Sequence, residues 1–291
     1  MKRLITPGTI PTKDLHQYMI GAVSPRPIAF VSTVDENGND NLAPYSFFNA
    51  FSSNPPIVVF SSNRRVSNNT TKDTLHNIYI NKELVVNMVN YNIVRQMSIA
   101  SAEYPSQVDE FTKSGLTKAS ASQVKASLVA ESPVNMECRV KEIIALGDQG
   151  GAGHLIICDV LCIHIDENVL DGDRIDPHKI DLMGRMGRTY YVRASGDAIS
   201  SIYQPVTDLP VGFDALPDYI SHNHFLTGNE IAQIAGLNKL PERDLWQPLP
   251  SSMLELDETS FCEVVKQWLK ENKVEDAYAG MVQYYELKKP Q

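Results

Sequence analysis

SPRPIAFVSTVDENGNDNLAPYSFFNAFSSNPPIVVFSSNRRVSNNTTKDT, Ser24 to Thr74, decides how this chain folds. Short apolar and β-branched runs alternate in it with Gly/Asn/Pro turns, the pattern of antiparallel strands. Pro25 and Pro27 hold the entry extended. Ile28 to Val34 is a strand, and Asp35-Glu36-Asn37-Gly38-Asn39 is a hairpin turn centred on Asn-Gly. Asn41 to Ser52 is strand-like, with a break expected at Pro44. Asn54-Pro55-Pro56 is a turn, and Ile57 to Ser61 an apolar strand.

Outward from this stretch the pattern continues. Residues 14–20 read as a short entering helix, Lys72–Asn81 and Val94–Ala102 as helices, and Leu84–Val89 as a strand. Glu103–Ala130 is polar and irregular. Val134–Leu146 and His154–Ile165 are strands around a glycine-rich turn, and Thr189–Arg193 is a last short one. Many strands, tight turns and few helices predict a mainly β protein built on an antiparallel barrel. Gly150-Gly151-Ala152-Gly153 lies between two strands, so it reads as a hairpin and not as a dinucleotide loop.

After about residue 200 the texture changes. We read 1–200 as one domain and 201–291 as a C-terminal extension with one main helix (Glu255–Glu271), which packs on the barrel or on a dimer partner. The tail residues Tyr278, Met281, Val282, Tyr284 and Tyr285 are unusually apolar for a free terminus.

Charge narrows the function. The 291 residues carry a formal net charge of −9, which argues against a chain-wide nucleic-acid surface. Residues 1–100 nevertheless have a net of +3 and the rest −12. No apolar run reaches the ~18 residues of a membrane span. The four cysteines have no framework spacing, so reduced thiols and a cytoplasmic location are expected.

The spare positive charge falls where a phosphate site is readable. Ser61, Ser62, Arg64, Arg65, Lys72 and Thr74 supply hydroxyls and cations around an expected helix start. The other reading, a solvated loop, is the one composition alone favours. Upstream, Ala43 to Ala50 offers aromatic faces, a hydroxyl and an amide, a slot for a flat ring. Phe47, Phe48 and Phe51 read equally as barrel core. Together the segments suit a phosphorylated aromatic cofactor, with FMN the leading candidate. Met183–Arg193 is a second site element or a basic loop.

Other chemistries read weakly. His222-Asn223-His224 suits an exposed loop better than a metal, and no HExxH is present, so no metal site is expected. Cys158 and Cys162, four apart on a strand, are read as core on one face, and His164 as satisfied or outward-facing. No GxSxG elbow occurs, and no residue is assigned a catalytic role.

At these residues the chain resembles the flavin-reductase-like proteins with the FMN-binding split-barrel fold, in particular the flavoredoxin-like branch. The resemblance runs over Ser24–Val34, Asn41–Ser61, Lys72–Ile78, Glu103–Gly115 (EYPSQVDEFTKSG), Ser132–Arg139 (SPVNMECR) and Gly184–Arg193. It implies a homodimer with FMN near the subunit interface. Ser46, Phe47, Phe48 and Asn49 would line the ring and ribityl chain. Ser61, Ser62 and Arg65 would lie near the phosphate, with Lys72, Asp73 and Thr74 completing the cradle. Asp73 would act as a helix cap or arginine partner. Tyr190 and Arg193 match a late glycine–tyrosine–arginine segment, with Met186-Gly187 where a double glycine is common. Leu226–Glu230 (LTGNE) fits a long-tailed branch. The implied activity is electron transfer from NAD(P)H or a protein donor through FMN to a small acceptor. A non-enzymatic FMN-binding carrier and an FMN-dependent oxygenase or oxidase component are the alternatives. A haem-binding or pyridoxamine-phosphate-oxidising split barrel is a more distant one.

Overall fold

A computed structural model describes residues 1–202, 204 and 207–288. The chain divides into two compact units, Met1–Ser200 and Ser201–Gln291.

The first unit runs α1 (Thr12–Ala22), β1 (Ala29–Val34), β2 (Asp40–Tyr45), β3 (Phe48–Ser53), β4 (Pro56–Asn63), α2 (Asp73–Asn81), β5 (Glu83–Met88), α3 (Val94–Ala100), α4 (Glu110–Ser114), the two-residue strands β6 (Lys118–Ala119) and β7 (Leu128–Val129), β8 (Val134–Ala145) and β9 (Gly153–Ile165). Seven strands form one sheet in the order β2-β1-β5-β8-β9-β4-β3, and every pairing is antiparallel. The order explains the curvature. Its two edges, β2 and β3, are joined by only Ser46 and Phe47. In a flat sheet those edges would be about 29 Å apart, whereas such a link reaches about 10 Å. The sheet must therefore curl until its edges meet at that corner.

The turns follow the residues. The Asp35 carboxylate accepts the amides of Asn37 and Asn39, both at 2.8 Å, and Gly38 takes φ +86°, which an L side chain resists. The barrel core gathers Val31, Tyr45, Phe60, Leu84, Val86 and Ile156, closed by Leu75 and Ile78 of α2. β1 is buried throughout, because Phe30 on its other face, with Ile28 just before the strand, meets a second core with α3 and α4.

Three local readings change. Pro44 does not break β2; it stays in register with Phe30, as proline can on an edge strand, and the corner falls at Ser46–Phe47. Phe48 packs on the barrel core, but Phe51, skipped by the bulge between Ala50 and Ser52, is 69% exposed. Cys158 is buried in the core, whereas Cys162 is not on its face. Cys138 pairs with Val160 while Glu137 pairs with Cys162, so Leu161 is an extra residue. That bulge inverts the side-chain phase.

The second unit holds more than one main helix: Gly228–Ala235, Glu258–Lys270 and Val274–Leu287. The apolar tail recurs at helical spacing and packs in this unit's own core, where the Phe261 and Tyr284 rings stack 3.9 Å apart. Thr227 and Glu230 of LTGNE form a capping box for the first helix. His222 and His224 are exposed, and the buried Asn223 between them donates to the Tyr285 hydroxyl at 2.7 Å.

Candidate functional site

The corner that closes the barrel is held by a residue the sequence reading passed over. Arg26 is 5% exposed. Its guanidinium donates to the carbonyls of Ile20 and Val23, both at 2.6 Å, and of Met186 at 3.2 Å. It also reaches the Ser46 hydroxyl at 3.3 Å and stands 5.8 Å from the centre of the Phe47 ring. Burial, then the charge of Arg185, lowers its pKa. Arg26 thus ties the end of α1, the β2–β3 corner and the Met186 loop together. The Ser61 amide donates to the Phe47 carbonyl at 2.8 Å, fixing the corner to β4. Asn49 is exposed and its side chain accepts the Ala50 amide.

The late glycine segment docks at the same place. The backbones of Arg26 and Arg185 exchange two hydrogen bonds. A Cβ on Gly187 would lie 3.1 Å from the Gly21 Cα, and one on Gly184 would lie 3.0 Å from the Pro25 Cβ. Arg188, not a second glycine, carries the left-handed turn at φ +54°. Tyr190 is 65% exposed. Arg193 is held by a two-pronged pair to Asp181, both contacts at 2.7 Å.

On β4 consecutive residues face opposite ways, so Ser61 and Ser62 do not share a face. Ser61 donates to the Asn63 side chain at 2.8 Å, and a Cβ on Gly153 would lie only 2.5 Å from its hydroxyl. Ser62 is 1% exposed. Its hydroxyl and the buried Tyr45 hydroxyl close no hydrogen bond of ordinary geometry among the described residues, although the Tyr45 hydroxyl lies near those of Ser62 and Thr74. Each such orphan costs about 1–3 kcal/mol. Burial pushes the Tyr45 phenol up to about 12, against the neighbouring Thr74 and Ser62 hydroxyls and the Arg65 charge.

Lys72 completes this cluster. Its Nζ stands 4.7 Å from the centre of the Tyr45 ring. Burial, then the Arg65 charge, lowers its pKa, while Glu103 pulls the other way. No carboxylate pairs with it among the described residues. Lys72 is the N-cap residue of α2, whose first turn has no side-chain cap. Thr74 is fully buried and accepts the Asn41 side-chain amide at 2.9 Å.

The other expected phosphate groups are engaged. Arg65 pairs with Glu103 at 2.9 Å and donates to the Thr70 hydroxyl and the Thr71 carbonyl. Arg64 is bound to Asn69. The 64–71 loop rests on the glycine hairpin, where a Cβ on Gly150 would lie 3.1 Å from the Arg65 and Val66 carbonyls. Asp73 neither caps α2 nor meets an arginine; it accepts the Ser106 hydroxyl at 3.2 Å, because its place in the first turn points it at the 103–109 loop.

Two unfilled hydroxyls, an ammonium without a carboxylate and an uncapped helix start form a donor set, and donors converging on one spot fit an anion such as phosphate. Concavity alone does not find this place. A cleft of about 430 Å³ lies in the second unit, between Trp246, Leu249, Met253 and Trp268. Another, of about 230 Å³, is lined by Asp35, Glu36, Asp40 and Asp73, and its carboxylates would repel phosphate.

Comparison with known proteins identifies the fold. The flavin reductase like domain family matches residues 21–181, more than half of the chain, and the chain belongs to that family. An uncharacterised protein of Aquifex aeolicus (strain VF5) is 38% identical over 184 residues, 63% of this chain and 91% of that protein. Nitrilotriacetate monooxygenase component B of Bacillus cereus superposes with a TM-score of 0.64 at 27% identity, over 70% of this chain and 98% of that one. Flavoredoxin of Desulfovibrio vulgaris (Miyazaki F), at 19% identity and a TM-score of 0.54 over 71% and 98%, shares the fold. The first unit is thus a split barrel of the flavin-reductase-like kind, flavoredoxins included.

Proposed function

We propose that residues 1–200 form an FMN-binding domain, and that the protein is a flavin-reductase-like oxidoreductase. It would pass electrons from NAD(P)H or a protein donor through non-covalently bound FMN to a small acceptor. The observation that carries this reading is the buried Tyr45 and Ser62 hydroxyls, which close no hydrogen bond of ordinary geometry among the described residues, beside Lys72, which meets no carboxylate there. In this reading Lys72, Ser62, Tyr45 and the start of α2 bind the phosphate. Thr74 and Arg65 position them, the latter through Thr70 and Thr71. Ser46, Phe47, Phe48 and Asn49 line the ring and ribityl chain, with Arg26 fixing their corner. Ser61 and Asp73 support from behind, and Tyr190, solvent-facing in the single chain, covers the ring from the late segment. Bound FMN supplies hydride acceptance and electron delivery; the residues bind it, orient it and exclude water.

A homodimer belongs to this proposal. β3 is an edge strand with Phe51 outward, and such edges are normally paired or covered. A cytoplasmic location accords with four unpaired cysteines; no helix among the described residues is long and apolar enough to cross a membrane.

The likeness to a protein named as a monooxygenase component favours a second reading, in which reduced flavin or its electrons pass to a separate protein. The test is an absorbance spectrum of the purified protein, before and after anaerobic NADH or NADPH. Flavin bands that bleach are expected. Yellow protein that does not bleach would mark a carrier served by another protein. Flavin that bleaches but is lost on desalting would favour the second reading. A colourless protein that also ignores added FMN would overturn the proposal.

A further inference from the structure

The bulge at Leu161 brings three metal-ligating side chains together on the outer face of β8 and β9. Glu137 and Cys162 are register partners, and His164 follows two residues on, opposite Asn135. The Cys162 Sγ, a Glu137 carboxylate oxygen and a His164 ring nitrogen all lie within 4.8 Å of one another. Without the bulge, strand alternation would send Cys162 into the barrel with Cys158.

The geometry converges on one point. His164 Nε2 is 2.6 Å from Glu137 Oε1 and 3.7 Å from the Cys162 Sγ. A hydrolytic relay needs the imidazole to use its two nitrogens, one toward the thiol and one toward the carboxylate. Here both partners meet the same nitrogen, which cannot serve as donor and acceptor at once. One nitrogen, one sulfur and one oxygen facing a common centre form instead a ligand set for a divalent ion of borderline softness.

We propose that Glu137, Cys162 and His164 bind a zinc-class divalent cation, with a fourth position open to water. Bond lengths of about 2.0–2.3 Å put the ligand atoms of tetrahedral zinc about 3.3–3.7 Å apart. The sulfur–nitrogen separation already meets that. The shorter carboxylate–imidazole contact opens by less than about 1 Å when the ion replaces the proton between them. Thiolate and carboxylate together balance the charge of the ion. The carboxylate is already held in place by backbone donors, which orient a metal ligand: Glu137 is fully buried and accepts the amides of Ser122 at 2.7 Å, Gln123 at 2.5 Å and Val124 at 3.0 Å. The His164 side chain is 35% exposed, which leaves an entry path. The ion would clamp the 122–124 loop to the β8–β9 hairpin, apart from the Tyr45–Ser62–Lys72 cluster and independently of flavin.

The test is titration of the chelator-treated, full-length protein with Co(II), read as a difference spectrum so that bound flavin cancels. A single equivalent is expected to give tetrahedral d–d absorption with a thiolate charge-transfer band, and zinc should bleach both. Cys162→Ser should remove the charge-transfer band, and His164→Gln should weaken the ion at least roughly tenfold. Cys262→Ser, in the other unit, should change nothing. His164 is partly exposed, so its variant should stay folded where Glu137→Gln does not. No saturable absorption, or a charge-transfer band that survives Cys162→Ser, would overturn the proposal.

Discussion

Two polar clusters on one barrel differ in what they lack. Around Tyr45, Ser62 and Lys72 there are, among the described residues, two buried hydroxyls that close no hydrogen bond and an ammonium that meets no carboxylate. Around Glu137, Cys162 and His164 there are acceptors, and a single imidazole between a carboxylate and a thiol. The first is costly until an anion arrives, and the second is satisfied until a cation displaces a proton. The sign of the unmet valence is therefore a better guide to the ligand than cleft volume. None of the buried side-chain atoms without a hydrogen bond among the described residues lines the 430 Å³ cleft in the second unit.

The comparison breaks most sharply at the cations. Lys72→Ala with Arg65→Ala removes the ammonium and the group that holds Thr70 and Thr71. The lost Lys72 contact, at about 1.5–3 kcal/mol, puts the loss of FMN affinity at about one to two orders of magnitude, with the loosened Thr70–Thr71 loop adding to it, checked by fluorescence titration. Unchanged affinity would remove the anion assignment.

The orphaned hydroxyls give a smaller effect but a sharper one, because two readouts move in opposite directions. Tyr45→Phe and Ser62→Ala each delete a buried hydroxyl that closes no hydrogen bond of ordinary geometry among the described residues. Each should stabilise the FMN-free protein by about 1 kcal/mol and weaken FMN about fivefold. Thermal unfolding with and without FMN measures both. A variant that loses stability in both states would mean its hydroxyl serves the fold alone.

The fold was legible because it is written in local chemistry. Asn37-Gly38, Pro55-Pro56 and the apolar run Ile57–Phe60 mark turns and strands wherever they occur. The candidate site was legible in part. Lys72, Thr74 and Ser62 carry their chemistry in their residue types, but Tyr45 passed as one more aromatic of the ring slot. Only the curl of the sheet shows that its hydroxyl meets β4. Arg26, between two prolines, carries no local signal of its role; its partners are Ile20, Val23, Ser46 and Met186, the last far along the chain. The Leu161 bulge leaves no composition signal, so strict alternation misplaced Cys162. Corner position, long-range partners and strand phase are tertiary facts.

Lys72 also sets a pH dependence. Its pKa is lowered, first by burial and then by Arg65, and phosphate needs the charged form. FMN affinity should fall as pH rises through this depressed pKa, earlier than an ordinary lysine would cause. The FMN-free protein behaves oppositely. A folded pKa below the unfolded one means stability that is present above the unfolded value and lost as pH falls through the folded value. Binding and stability should therefore cross over in one alkaline window. Lys72→Arg, charged throughout, should flatten the affinity limb; a limb that persists would assign it to another group.

The smallest effect tests whether the late segment belongs to the anion cluster. Arg193 matches the family segment by sequence, yet its guanidinium is bound in two places to Asp181 and stands 3.8 Å from the centre of the Tyr91 ring. An exposed pair of this kind contributes little, because solvent screens it. Arg193→Ala should lower stability only slightly and leave FMN affinity unchanged. Asp181→Asn should give the same modest loss, and the double change little more than either, since both remove one contact. If Arg193→Ala instead weakened FMN tenfold while Asp181→Asn did not, Arg193 would have to leave Asp181 when FMN binds. The anion site would then extend from α2 to the Met183–Arg193 segment, and the donor set around Tyr45 would be one half of it.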